Sequence, residues 1–286
     1  MKNIKFDFSK IDIFNQEEDC SETEKSQVIQ NIHTDLKNLG INKGDLLLIH
    51  SSYKSMGKIC GGAKTFFQAV LSYLGEEGTL VLPSLTFRNV NRENPVFNLK
   101  NTRCCIGYLP EYFRTQVNGV LRSLHPTHSC CAIGKLAKEL IENHHLDDTP
   151  LGKNSPFTKI AKLNGKILFI GCSTDKNTTM HGVEELVDPI YLLDKQNLIT
   201  YTIIDKNGNK TEKLSFRNNF IDTDKYYKQN YSKIEKLLKK GEIVKGKILQ
   251  ASCTLMLASA VWERGLEKLK KKPLYFVSKQ KLPKRK

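Results

Sequence analysis

The chain reads as a mixed α/β protein, with a mostly parallel central sheet flanked by helices and a hairpin followed by helices towards the C-terminus. Three observations predict this. Continuous apolar runs, of the kind a strand buried on both faces needs, occur at 45–49, 79–82 and 166–170. Stretches of helical period lie between them, and strands alternating with helices build a sheet covered on both sides. A polar turn, Asp205-Lys206-Asn207-Gly208-Asn209, then separates strand-like runs at 198–204 and 210–216, which reads as a hairpin.

The elements follow in order. Ser21-Glu22-Thr23-Glu24 has the Ser-x-x-Glu form of a capping box, and Val28, Ile29, Ile32, Leu36 and Leu39 keep helical spacing up to Gly40. The run 45–49 is a strand that stops at His50-Ser51-Ser52. A glycine-bearing loop, 54–62, leads to a helix over 63–74. Gly75 and Gly78 then introduce the strand 79–82, closed by Pro83. The alternation returns as a strand at 130–133, a helix at 135–143, a short helix opened by Ser155-Pro156 and the strand 166–170. Beyond the hairpin, helical patterns over 225–239 and 251–269 complete the body, and no internal repeat is present. We read residues 1–286 as one domain, with a core at 20–275 and a basic tail at 276–286.

Composition narrows the function classes. A hydrophobic share of 39% and a mean hydropathy of -0.41 fit a soluble globular chain. No apolar run reaches the roughly 18 residues of a membrane span. Residues 1–19 are charged throughout and lack a signal-peptide core, so a cytoplasmic protein without a membrane partner is expected. The eight cysteines show no Cys-x-x-Cys spacing and are read as reduced thiols. A net charge of +15 invites a nucleic-acid reading, but the lysines are spread out, dense only at 268–272 and 279–286. That pattern suits a solvated tail rather than a nucleic-acid arm. A basic surface would equally steer a phosphate-bearing ligand.

The segment with the most chemistry is Asn177-Thr178-Thr179-Met180-His181-Gly182-Val183-Glu184, which follows an apolar strand. On a helix His181 and Glu184, three apart, share a face, as a general base and its orienting acid would. A surface helix carrying the same pair is the plain alternative. Position decides, because open α/β sheets bind ligands at the carboxyl ends of their strands. The loop 50–62 matches neither a Walker loop nor a dinucleotide fingerprint and reads as an ordinary strand–helix turn. In the segment from Arg122 to Cys131, His125 and His128 with Cys130 and Cys131 do not match zinc spacing. Cys172 follows a strand and is a candidate nucleophile, though a small buried hydrophobe explains it better.

Several stretches together resemble the aminoglycoside 3-N-acetyltransferase family. They are Leu48-Ile49-His50-Ser51-Ser52 with Gly57 and Gly61-Gly62, Gly78-Thr79-Leu80-Val81-Leu82-Pro83-Ser84, Arg122-Ser123-Leu124-His125-Pro126, Gly152 with Ser155-Pro156, and Leu168-Phe169-Ile170-Gly171 leading to His181 and Glu184. They keep the family's order over roughly 22–275. The resemblance implies a mixed α/β fold whose C-terminal hairpin and helices complete an acceptor site. It implies transfer of an acetyl group from acetyl-CoA to an amine, with no metal, His181 as base and Glu184 as its partner. Carried over, the CoA contacts are Ser51, Ser52, Lys54, Ser55, Arg122 and Ser123, with Thr178 and Thr179 beside the thioester.

Members that modify aminoglycosides place acidic side chains where this chain has Asn89, Arg217 and Asn219, with Arg88 and Arg92 close by. A polycation would meet repulsion there. The expected acceptor is therefore an amino sugar, free or nucleotide-linked. An aminoglycoside is the second reading, for which Asp222 and Asp224 could supply negative charge. A homo-oligomer is left open.

Overall fold

Ser21 opens the first helix as its capping box predicts. Its Oγ accepts from the Glu24 amide at 3.2 Å while Glu24 Oε2 accepts from the Ser21 amide at 2.9 Å, which satisfies donors that the first helical turn leaves without partners. In this computed structural model residues 20–219 and 227–279 are described, the side chains of 195–197 and 214–219 excepted. The helix, α1 (Glu22–Asn38), is followed by β1 (Leu46–Ser51), α2 (Gly62–Leu74), β2 (Thr79–Pro83), β3 (Val96–Asn98), α3 (Tyr108–Gln116), β4 (Leu121–Arg122), β5 (Cys130–Gly134) and α4 (Ala137–Ile141). Then come α5 (Pro156–Lys162), β6 (Lys166–Ile170), α6 (Thr179–Glu185), β7 (Leu193–Ile204), β8 (Lys210–Asn219), β9 (Tyr227–Gln229), β10 (Ile243–Ile248), β11 (Ala251–Leu257), α7 (Ala258–Lys271) and β12 (Val277–Lys279).

Seven strands form the main sheet in the order β10-β11-β6-β1-β2-β5-β4. The parallel pairing that the alternation predicts occupies its centre, where β1 lies between β6 and β2, and antiparallel strands extend it on both sides. Successive side chains of a strand point to opposite faces, so β1 feeds two cores at once. Leu47 and Ile49 join Ile32, Phe66 and Phe67 of α1 and α2, while Leu46 and Leu48 join Phe157, Ile160 and Val261 of α5 and α7. Truncating a fully buried leucine such as Leu48 to alanine would cost about 2–5 kcal/mol.

The hairpin forms as expected and is longer than its apolar runs suggest, β7 pairing with β8 and also, in parallel, with β3. Asp205 organises its turn. Oδ1 accepts the amides of Asn207 and Asn209, and Gly208 takes the positive φ of +87° that closes the loop.

Two helical expectations fail. In place of a helix over 225–239, the residues described from 227 onwards form β9, paired with β12, and a 3₁₀ segment at Tyr231–Lys236. The run 251–269 divides into β11 and α7. Ala251, Cys253 and Leu255 alternate inward and the stretch Cys253 to Leu257 pairs with the open edge of β6, so strand pairing prevails until Ala258. The helix expected at 135–143 contracts to α4.

The cysteine reading also needs correction. Cys20 and Cys60 are disulfide-bonded with Cα atoms 5.9 Å apart, because α1 folds back on α2 and brings together residues 40 positions apart. The other six are free thiols. Among the described residues no helix is long and apolar enough to cross a membrane. The lysines at 268–271 sit in the last turns of α7, where Lys268 lies over the Tyr275 ring and Lys271 pairs with Glu267. Residues 280–286 of the basic tail lie outside the described residues.

Candidate active site

Two backbone features carry the chain from β6 to α6. Gly171, at φ +60°, ends β6 against Ser55, whose Oγ lies where a Cβ would stand. Asn177, fully buried, then caps α6 by accepting both the amide and the hydroxyl of Thr179 at Oδ1, at 3.2 and 2.8 Å. α6 lies close against α7 because Gly182 faces Trp262 and Gly265 faces Val183 with no room for a methyl group on Gly182. This packing aims His181 and Glu184 to one side, as the three-residue spacing predicts.

Their contact differs from the predicted one. His181 Nδ1 and Glu184 Oε2 are 3.5 Å apart, and the Tyr231 hydroxyl stands between them. It lies 2.6 Å from His181 Nδ1 and donates to Glu184 Oε2 at 2.5 Å. Tyr191 donates to the other carboxylate oxygen at 2.6 Å, and Gln229 Nε2 donates to the Tyr231 oxygen at 2.8 Å. Glu184 is fully buried, Tyr231 is 1% exposed, and the His181 side chain keeps 13% of its surface. Burial and the Glu184 carboxylate push both phenols far above their usual range, so both keep their protons.

Behind His181 runs a line of buried imidazoles. His128 meets the His181 ring edge-to-face at 6.2 Å, and His125 stacks on His144 at 4.7 Å. The amides of Thr127 and His128 donate to His125 Nδ1, and His144 Nδ1 meets the Ser123 hydroxyl at 2.9 Å. Burial holds all three rings neutral, with His144 pushed down to about 3. His125, His128 and His144 thus build a buried wall behind His181. Among the described residues only Cys20, Glu24 and Cys60 bring three donor atoms within 4.8 Å, and there the two sulfurs are bonded to each other.

The residues expected to touch CoA separate into two groups. Ser51, Ser52 and Ser55 gather at the carboxyl ends of β1 and β6, where Ser52 N donates to Ile170 O and Ser55 Oγ donates to Ser52 O. Lys54 lies exposed on the same turn. Thr178 and Thr179 are buried one turn before His181. Ser51 Oγ and Asn177 Nδ2 are buried polar atoms without a hydrogen-bond partner among the described residues.

Arg122 and Ser123 have other work. The Arg122 guanidinium, on a residue 9% exposed, donates to the carbonyls of Leu99, Thr102 and Ser84 and to Ser129 Oγ, and lies over the Phe97 ring. Ser123 is fully buried, its hydroxyl donated to by the Cys130 amide and in contact with His144. Their polar groups are used inside the fold.

Of the residues expected on the acceptor side, those after β2 lie near His128. Phe87, 40% exposed, stacks on His128 at 6.0 Å, and Arg88 lies against Phe87. Asn89 spends its amide on Arg103 O and builds the loop. Arg217 and Asn219 are on β8, with side chains outside the described set, and Asp222 and Asp224 lie outside the described residues altogether. Cys172 is half-buried with its thiol pushed up to about 11 by burial, which leaves little thiolate for nucleophilic work. Tyr231, Tyr191 and Gln229 carry no periodic signal and lay in or near segments read otherwise. The sequence offered no route to them.

Similarity to known proteins points to one family. A family model described as aminoglycoside 3-N-acetyltransferase matches residues 48–270. The chain is 34% identical over 168 residues to aminoglycoside N(3)-acetyltransferase III of Salmonella sp, covering 54% of this chain and 58% of that one. It is 33% identical over 175 residues to the aminoglycoside N(3')-acetyltransferase-like protein YokD of Bacillus subtilis, covering 54% and 64%. The match thus spans less than two thirds of the length of these curated relatives. Among solved structures, aminoglycoside acetyltransferase AAC(3)-IVa in complex with a gentamicin superposes with a TM-score of 0.70 at 25% identity, covering 88% of this chain and 90% of that one.

Proposed function

The chain belongs to the aminoglycoside 3-N-acetyltransferase family, and from that premise we propose that it transfers an acetyl group from acetyl-CoA to the amine of an amino sugar, free or nucleotide-linked, by general-base catalysis at His181. The observation that carries this reading is the partly exposed His181 ring, tied through Nδ1 to a buried tyrosine–carboxylate cluster beyond the carboxyl ends of β1 and β6. An ammonium cannot attack a carbonyl. A neutral imidazole beside it takes the proton, the nitrogen attacks the thioester carbon, and the CoA thiolate leaves from the tetrahedral intermediate.

The surroundings suit the donor. Developing negative charge on the thioester oxygen calls for donors already in place, and Ser51 Oγ and Asn177 Nδ2 are buried polar atoms with unused capacity. Ser52, Lys54 and Ser55 would hold the CoA chain, with Thr178 and Thr179 nearer the thioester. No step requires a metal. Arg88, Asn89, Arg217 and Asn219 would line the acceptor side, which suits an amino sugar of low positive charge.

A polycationic aminoglycoside is the second reading, favoured by the gentamicin complex of the solved relative. Thiol release from acetyl-CoA, measured against a panel of aminoglycosides and amino sugars, separates the two. High kcat/KM on gentamicin-like amines, with none on amino sugars, would reject our preference. His181→Ala should lower thiol release by about a hundredfold or more, and a variant with wild-type turnover would remove the proposed base.

A further inference from the structure

We propose that Tyr231 is the positioning residue of this site, and that Glu184 acts on His181 through the Tyr231 hydroxyl and not by direct contact. The inference rests on the acetyltransferase reading and deepens it.

A phenol has one proton to give and two lone pairs with which to accept. The Tyr231 proton is committed to Glu184 Oε2 at 2.5 Å. Glu184 Oε1 already accepts from Tyr191, so this buried carboxylate is an acceptor on both oxygens. One lone pair of the Tyr231 oxygen is taken by the Gln229 Nε2 donor at 2.8 Å. His181 Nδ1, 2.6 Å away, therefore meets a lone pair and must itself carry the hydrogen. The direct Nδ1 to Oε2 separation of 3.5 Å is too long to compete.

A neutral imidazole with its hydrogen on Nδ1 has its basic lone pair on Nε2, the nitrogen a general base would use towards the amine. When Nε2 takes the proton, the new positive charge is stabilised along the same line, from Nδ1–H to the phenol oxygen and from the phenol hydrogen to the carboxylate. Nothing need move, since every group along that line is already hydrogen-bonded. Tyr231 starts the 3₁₀ segment and packs against Phe276, while Gln229 is held by the β9–β12 pairing. The C-terminal part of the chain thus supplies the group that fixes the protonation state of a histidine 50 residues earlier.

The test is Tyr231→Phe, which keeps the ring and removes only the hydroxyl, read in two ways. In the resting wild-type protein, nitrogen NMR of 15N-labelled His181 should show Nδ1 protonated and Nε2 unprotonated, and the variant should lose that bias. This measurement does not depend on turnover, so it tests Tyr231 even if no acceptor amine is found. In thiol release, kcat should fall about tenfold or more with KM for acetyl-CoA within about twofold, and the acid limb of the kcat profile should move to lower pH. Glu184→Gln should cost much less in the Tyr231→Phe background than alone. A wild-type ring protonated on Nε2, strictly additive losses, or unchanged kcat in the variant would each overturn the proposal. A wild type inactive on every amine would instead reject the acetyltransferase reading.

Discussion

Gly182 follows the proposed base, and adding one methyl group there separates precise positioning from mere stability. A Cβ at this position would stand 2.7 and 2.9 Å from Cη2 and Cζ2 of Trp262 and 3.3 Å from Thr158 Oγ1. Carbon atoms prefer about 3.5–4.0 Å, so α6 and α7 must part by roughly 1 Å. Overpacking of this kind costs about 1–3 kcal/mol. Replacing glycine by alanine inside a helix returns about 1 kcal/mol of propensity. The net loss in Gly182→Ala is therefore about 0–2 kcal/mol, a fall in Tm of a few degrees for a chain of this size.

Activity should suffer far more. The Tyr231 contacts at 2.5 and 2.6 Å bind α6 to a separate segment of the chain and would lengthen beyond hydrogen-bond range under a shift of that size. A misplacement of about 1 Å at a catalytic group costs on the order of a hundredfold in rate. Thermal unfolding and acetyl-CoA thiol release on the same preparation check this. A variant with wild-type kcat and wild-type Tm would refute the claim that the α6–α7 contact sets the position of His181.

Three further outcomes are expected. Burial, with Asp147 and Asp148 nearby, raises Glu185 from 4.5 to about 7 despite its bonds from Thr149 and Leu151. The folded protein then holds this proton more tightly than the unfolded chain, so the Glu185 contribution to stability falls as pH rises between these values, by about 1–3 kcal/mol. The buried neutral histidines His125, His128 and His144 act in the opposite direction below pH 6.5, so urea unfolding at pH 5 and pH 8 should show a larger gain in stability with pH for Glu185→Gln than for the wild type, and an equal gain in the two proteins would contradict the assignment. The Cys20–Cys60 bond should leave six titratable thiols in unreduced, denatured protein and eight after reduction. Closing a loop of this length is worth about 4 kcal/mol at most, so reduction should lower Tm by several degrees, whereas eight thiols without reduction would deny the bond. Arg122→Lys leaves buried carbonyls of Leu99, Thr102 and Ser84 short of donors and should cost about 2–4 kcal/mol, with KM for acetyl-CoA within about twofold. A raised KM at unchanged stability would restore Arg122 to the CoA site.

Much of the site was readable before folding was considered. The capping box at Ser21, the apolar runs of β1, β2 and β6, and the three-residue spacing of His181 and Glu184 are local patterns, and the structure keeps each of them. Errors arose where a distant partner outweighed local preference. The segment 251–257 carries a helix-compatible pattern, but β6 offers a pairing edge to 253–257 and β10 pairs on the other side, which an isolated helical turn cannot match. Arg122 and Ser123 sit in a motif that suggested a ligand, and in the fold Arg122 donates to the carbonyls of Leu99 and Thr102 while Ser123 Oγ accepts from the Cys130 amide, contacts no local period encodes.

By itself the amino-acid order determined the layered α/β class, the strand that ends at Ser51 and the histidine–glutamate face of α6, since each depends on neighbours no more than four positions apart. Only the tertiary structure decided that a tyrosine would stand between that pair, that Cys20 would meet Cys60, and that His125, His128 and His144 would form a neutral wall. Those contacts join residues 19 to 50 positions apart. No local period encodes them, because they are set by how two faces of one sheet are covered.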